Sequence, residues 1–321
     1  MTPRKRLRLA TSRCPLLELP SDALSFIASW LFVDNILKWR ACSQALQRLT
    51  NEYGFWITID FGGRRLLYLQ GWPEMISANT THLAPRFSTT QDVTKALSEL
   101  QKGVGLMTLD LSRNRICSAG CSTLASTLPI LKSLTTLTLS DNQIGSSGCS
   151  ALAKALPDSH IKVLNLECTN IGNVGSSALA GVLPNSHVTT LNLARNLIGG
   201  AGVSALAKAL PDSYITVLNL ENTFIGNFGF SALARVLPNT QIKFLTLARN
   251  EIGDAGVSAL AKALPDSHVT TLNLANTRIG NVGSSALAPV LPNTQLKLLT
   301  LARDTLGDAG VPASANSLPN S

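Results

Sequence analysis

Charge and aromatic rings are both scarce in this chain: Asp, Glu, Lys and Arg make up 14% of its 321 residues, and Phe, Trp and Tyr only 5%. So few rings leave little to stack on bases, which argues against a nucleic-acid surface despite a formal net charge of +8. No apolar run reaches the roughly 18 residues that a membrane span requires. The basic start is not followed by the apolar core of a secretory signal. A soluble protein of the cytosol or nucleus is therefore expected. The six cysteines, Cys14, Cys42, Cys117, Cys121, Cys149 and Cys168, include no CxxC pair and no regular framework spacing. No His pair completes a zinc site around Cys117 and Cys121, so reduced, buried thiols and no metal are expected. Of the four histidines, His160, His187 and His268 recur at one position of a repeated pattern. That recurrence reads as template rather than active site. No P-loop, dinucleotide fingerprint or nucleophile-base constellation has a supporting motif, so neither an enzyme nor a cofactor is expected.

What the chain has in abundance is itself. LTLSDNQIGSSGCSALAKALPDS is followed by LNLARNLIGGAGVSALAKALPDS and LTLARNEIGDAGVSALAKALPDS. Aligned on one strand leucine, the units fall at Leu109, Leu137, Leu164, Leu191, Leu218, Leu245, Leu272 and Leu299, spaced 28 once and 27 thereafter. Each reads as an alternating apolar run, a turn and a helix-period stripe, giving one strand and one helix per unit. In the fourth, Leu191 and Leu193 point inward, Val203, Leu206 and Leu210 form one helical face, and Pro211 ends the helix. One unit cannot bury both its faces, so neighbours must stack on it. The turn position alternates between Asn (Asn142, Asn196, Asn250) and Thr (Thr169, Thr223, Thr277), with Asn114 in the first unit. That alternation implies a duplicated pair of twice 27 residues. Both side chains can satisfy turning backbone that would otherwise be buried unpaired.

This pattern resembles the leucine-rich repeat family, and within it the ribonuclease-inhibitor-like subclass, whose units likewise alternate two types. The resemblance implies an α/β solenoid of eight units over residues 106–321, strands lining a concave side and helices outside.

Ahead of the repeats, residues 1–16 form a basic tail with Arg4, Lys5, Arg6, Arg8 and Arg13, readable as a solvated tail or a nuclear-import signal. Residues 17–60 have the spacing of a small all-helical module, and 61–105 that of a connector and N-terminal cap with Val93, Ala96, Leu97 and Leu100 at helical spacing. A helical cap over the first unit is one account of the module. The order of residues permits another. Leu19-Pro20, Leu24, Ile27, Leu31, Asp34-Asn35-Ile36, the Arg40 to Ser43 stretch, Leu49 and Trp56 together resemble the F-box, although Leu46 stands where that family often has Trp and Cys42 where it often has Val. The resemblance implies a Skp-family adaptor bound through Leu19, Pro20, Leu24, Ile27, Leu31, Ile36 and Leu37, and through the adaptor a cullin. The chain would then be the substrate-recognition subunit of an SCF-type ubiquitin ligase, monomeric outside that complex. The GVSALA motif is also similar to the GALA repeats of bacterial F-box effectors, which would place the protein in a host cytosol or nucleus. The alternative is a non-enzymatic scaffold or small-GTPase regulator whose head is only a cap.

Columns of the repeat give the candidate target face. Between the two inner leucines lies a polar ladder, Asp110, Thr138, Asn165, Asn192, Asn219, Thr246, Asn273 and Thr300. Nearby stand Arg113, Asp141, Glu167, Arg195, Glu221, Arg249 and Arg303. These arginines either offer guanidinium groups to a carboxylate-rich or phosphorylated target or pair with the neighbouring acids. Phe224, Phe228 and Phe230 in the fifth unit offer either a local apolar contact or core packing.

Overall fold

The computed structural model describes residues 105–301 together with the two-residue strand His82–Leu83. Residues 1–16 and 17–60, with the seven expected adaptor-binding residues, lie outside the described part, as does Arg303.

The strands pair as the leucine alignment requires. In chain order they are β1 (His82–Leu83), β2 (Thr108–Asp110), β3 (Thr136–Thr138), β4 (Val163–Asn165), β5 (Thr190–Asn192), β6 (Val217–Asn219), β7 (Phe244–Thr246), β8 (Thr271–Asn273) and β9 (Leu298–Thr300). They form one parallel sheet in that same order. The eight aligned leucines, Leu109 to Leu299, are register partners across every adjacent pair. Between the strands run α1 (Ser118–Thr127), α2 (Gly145–Ala155), α3 (Gly172–Ala180), α4 (Gly199–Ala209), α5 (Gly226–Val236), α6 (Gly253–Ala263) and α7 (Asn281–Leu287). This is a leucine-rich-repeat-type solenoid. Strand β1 is an addition to the eight counted from the repeats. It lies in the segment read as connector, where Leu83 pairs with Leu109 but Pro85 stands where a second inner leucine would be.

Each unit contributes the same side chains to one continuous core. Leu191, Leu193, Ile198, Val203, Leu206 and Leu210 are all buried, as are their counterparts in the adjoining units. Helix α4 stops at Ala209, two residues before Pro211, whose missing N–H and ring would obstruct a further turn.

The recurring IGxxG has two separate physical causes. The first glycine takes a left-handed conformation, φ +56° at Gly226, where an added β-carbon would meet nothing within 4 Å. Its constraint is conformational. The second lies where neighbouring helices touch. A β-carbon on Gly229 would sit 2.8 Å from the Gly200 Cα and 2.9 Å from its carbonyl oxygen. Its constraint is space.

Asn and Thr at the turn do different work. Asn196, buried, reaches back one unit: its Oδ1 accepts from the Thr169 and Ile171 amides at 3.1 and 3.3 Å. Its Nδ2 donates to the carbonyls of Leu166, Leu193 and Ala194 at 2.8, 3.0 and 3.2 Å. Asn142 and Asn250 repeat this clamp on the first and fifth units. Thr169, by contrast, donates its hydroxyl to Leu166 in its own unit at 2.6 Å. The opposite seam is held by backbone, with Gly199 donating to the Thr223 carbonyl at 2.9 Å. The Asn clamp thus recurs inside each 54-residue pair, whereas the seams between pairs carry main-chain bonds, joined between the sixth and seventh units by the Asp254 carboxylate, which accepts the Gly280 and Gly283 amides at 2.7 and 2.8 Å.

Candidate functional site

On strands β2 to β8 the two leucines are buried toward the helices, and the residues between and beside them face the open side of the sheet. The polar ladder there is partly spent on its own backbone. Asn165, Asn192, Asn219 and Asn273 each accept the amide two residues on, at 3.0, 3.0, 2.9 and 3.0 Å. These are Asx turns at the strand ends. They leave the amide nitrogens as donors toward the open face, and that of Asn192 reaches Glu167 at 3.3 Å.

The next column bends. Arg113, Asp141, Cys168, Arg195, Asn222, Arg249 and Asn276 all have φ between 52° and 59°, the left-handed region that non-glycine residues enter at some energetic expense. The turn brings the charged columns together in pairs. Arg113 meets Asp141 at 3.2 Å, Arg195 meets Glu167 at 3.5 Å and Arg249 meets Glu221 at 3.3 Å. Each pair bridges the seam that an Asn clamp holds from inside. Of the two readings open in the sequence, mutual pairing is the one present: the described arginines of this column are each compensated by a carboxylate. Half-exposed as they are, such pairs contribute about 0–1 kcal/mol apiece.

Cys168 sits among these charges. Its thiol is held above the ordinary range, first by burial and then by the charge and hydrogen bond of Asp141. In the core, burial followed by the neighbouring Cys117 pushes the Cys121 thiol up to about 12, and burial followed by Cys121 raises that of Cys149. Both are protonated packing groups at neutral pH rather than nucleophiles.

The three phenylalanines of the fifth unit divide. Phe230 is fully buried under its helix, while Phe224 and Phe228 are 61% and 70% exposed. Leu197, one unit back in the Phe224 column, is 66% exposed, and Phe224 holds φ +58°. An exposed aromatic side chain in a left-handed turn gains little from packing. Phe230 falls in the buried Val203 column of the repeat, whereas Phe224 and Phe228 form an apolar rim with Leu197. On the open face itself Phe244 and Leu298 are about half exposed.

The histidine column behaves as a template. His187 and His268 each set Nδ1 against a carbonyl one unit back, Ser159 at 3.1 Å and Thr240 at 3.0 Å.

Five segments, residues 131–153, 158–180, 185–207, 239–261 and 266–288, match the family model for the Leucine Rich repeat, so these segments are leucine-rich repeats. The unit left unmatched between 207 and 239 is the one with the three phenylalanines, yet its strand keeps register on both sides. Among solved structures the chain is similar to an internalin (InlF) from Listeria monocytogenes, at 16% identity and a TM-score of 0.49, over 92% of this chain and 93% of that one. It is also similar to the actin-binding site 2 of leiomodin-1, at 17% identity and a TM-score of 0.39, over 45% of this chain and 86% of that one. No curated protein sequence matches it.

Proposed function

We propose that this chain is the substrate-recognition subunit of an SCF-type ubiquitin ligase, working in the cytosol or nucleus. The observation that carries this reading is the ordered run from Leu19-Pro20 through Leu24, Ile27, Leu31 and Ile36-Leu37 to Trp56, placed ahead of a leucine-rich repeat solenoid. The apolar head would bind a Skp-family adaptor, and the open face of the sheet would hold the target. Catalysis would then be by proximity, since holding a target beside a charged ubiquitin-conjugating enzyme raises its effective concentration. With Arg113, Arg195 and Arg249 paired to carboxylates, the face suits a target recognised through hydrogen bonds to the ladder amides and the alternating charges, better than a strongly anionic one.

The test is a pull-down of the full chain with a Skp-family adaptor, beside a Leu19→Ala, Pro20→Ala double variant. Binding that the variant loses supports the ligase reading. A wild-type chain that folds and does not bind reduces the head to a cap. The exposed rim of Leu197, Phe224 and Phe228 then favours a second reading, a free-standing interaction scaffold that grips its partner without ligase machinery.

A further inference from the structure

Away from the open face, on the edge where helices return to strands, the first three units line an open groove of about 410 Å3, with Lys132, Ser133, His160, Lys162 and His187 all exposed. Its polar lining is Lys132, Ser133, Thr135, His160, Lys162 and His187, and it includes no carboxylate. Neither lysine forms an ion pair among the described residues, in contrast to the paired arginines of the open face. Asp158, two residues before His160, is exposed and does not line the groove.

Four nitrogen-bearing side chains meet here because of where the repeat departs from itself. The histidine column reads Ser133, His160, His187, Tyr214, Gln241, His268 and Gln295, and the lysine column Thr135, Lys162, Thr189, Thr216, Lys243, Thr270 and Lys297. Only at the first three units do two histidines adjoin. Their rings stack parallel, 5.9 Å between centroids and 2° apart in plane. The contact with the Ser159 carbonyl makes the His187 Nδ1 a donor and leaves Nε2 for a ligand. The hydroxyl of Thr135 is committed to the Met107 carbonyl at 3.2 Å, whereas that of Ser133 has no such bond.

We propose that this groove binds a phosphate-type oxyanion, either free or carried on a phosphorylated side chain of a partner protein. Two ammonium groups, a hydroxyl and the Nε2 of His187 supply donors on several sides of a tetrahedral anion, and the two lysines repel a metal cation that the imidazoles alone could ligate. With Nδ1–H on the Ser159 carbonyl, Nε2 donates to the anion only in the doubly protonated ring. The site is separate from the ligase reading and does not depend on it.

Histidine side-chain NMR on the full chain tests the proposal, with His268 as an internal reference that shares the backbone contact and lacks the second ring. Titration with inorganic phosphate is expected to shift the imidazoles of His160 and His187 and leave His268 in place. A phosphoserine peptide and its unphosphorylated counterpart form the second arm. Tighter binding of the phosphopeptide than of phosphate identifies a partner side chain as the source, and a response to phosphate alone identifies the free ion. A Lys132→Gln, Lys162→Gln variant is expected to weaken binding about tenfold for each charge removed, and the corresponding Lys→Arg variant to retain it. Equal shifts at His160, His187 and His268, no shift at the first two, or full affinity in the Gln variant would overturn the assignment.

Discussion

Replacing Asn196 by alanine is expected to destabilise the solenoid by about 4 kcal/mol, far more than any exposed polar substitution. The figure follows from counting which groups lose their only partner. The Thr169 and Ile171 amides and the Leu193 carbonyl depend on the Asn196 side chain. Leu166 and Ala194 do not, because Leu166 also accepts the Thr169 hydroxyl at 2.6 Å and Ala194 accepts the Cys168 amide at 2.9 Å. Three stranded groups at about 1–3 kcal/mol each bracket the estimate, and its lower half allows for a water entering the space. Thr169→Val is the control. It removes a hydroxyl whose main bond is to the Leu166 carbonyl and whose longer contact, 3.4 Å, is to Asn196 Oδ1, while keeping the volume and leaving Leu166 its bond from Asn196, so it should lower stability by only about 1 kcal/mol. Urea unfolding of the full chain measures both. Native-state hydrogen exchange should show the Thr169 and Ile171 amides losing protection first, since a solenoid opens at its weakest interface. If Asn196→Ala lies within about 1 kcal/mol of Thr169→Val, the clamp is incidental and the turn is held by other means.

The two glycines of IGxxG should respond oppositely to substitution. Gly226→Asn, at φ +56° with open space around it, is expected to shift stability by less than about 1 kcal/mol, whereas Gly229→Ala, driven against the Gly200 backbone, should lower it by about 2–3 kcal/mol in the same urea assay. Phe224→Asn places in the left-handed turn the residue that Asn170 already supplies two units back; it should stabilise the chain by about 0.5–1 kcal/mol while weakening any partner that grips the rim, and a loss of stability would show that Phe224 packs usefully after all. For Cys121 the folded state prefers the protonated thiol, so it binds more protons than the unfolded chain as pH rises above 9.0, and stability falls from there towards about pH 12. About 1.4 kcal/mol should be lost for each pH unit within that window, and a Cys121→Val variant should show a shallower alkaline decline in thermal melts.

Much of the fold was legible because a repeat prints the same environment many times over. The leucine alignment anticipated the register of eight strands, and the Asn/Thr alternation coincides with the seams that an Asn side chain clamps. Strand β1 was missed because its unit retains only Leu83 of the inner leucines. The site was less legible. The charged columns of the open face were legible as columns, but both mutual pairing and a free anion-binding surface were compatible with the sequence. Phe224, Phe228 and Phe230 carry the same side chain within one unit, and only the position of each around its turn or helix separates a buried ring from two exposed ones.

The sequence by itself determined what each column of the repeat is: which residues are inward leucines, which glycines punctuate the turn and where each helix stops. Those properties are local, set by the strand and helix periods and by the conformational limits of glycine and proline. Only the tertiary structure decided what one column does to the next. The Asn196 clamp reaches residues 25–30 positions away, the arginines find acids on the adjoining strand, and two histidines and two lysines line one open groove at the edge. Each of these depends on the stacking distance and on side-chain rotamers across the interface between units, and a linear pattern, repeating every 27 residues, contains neither.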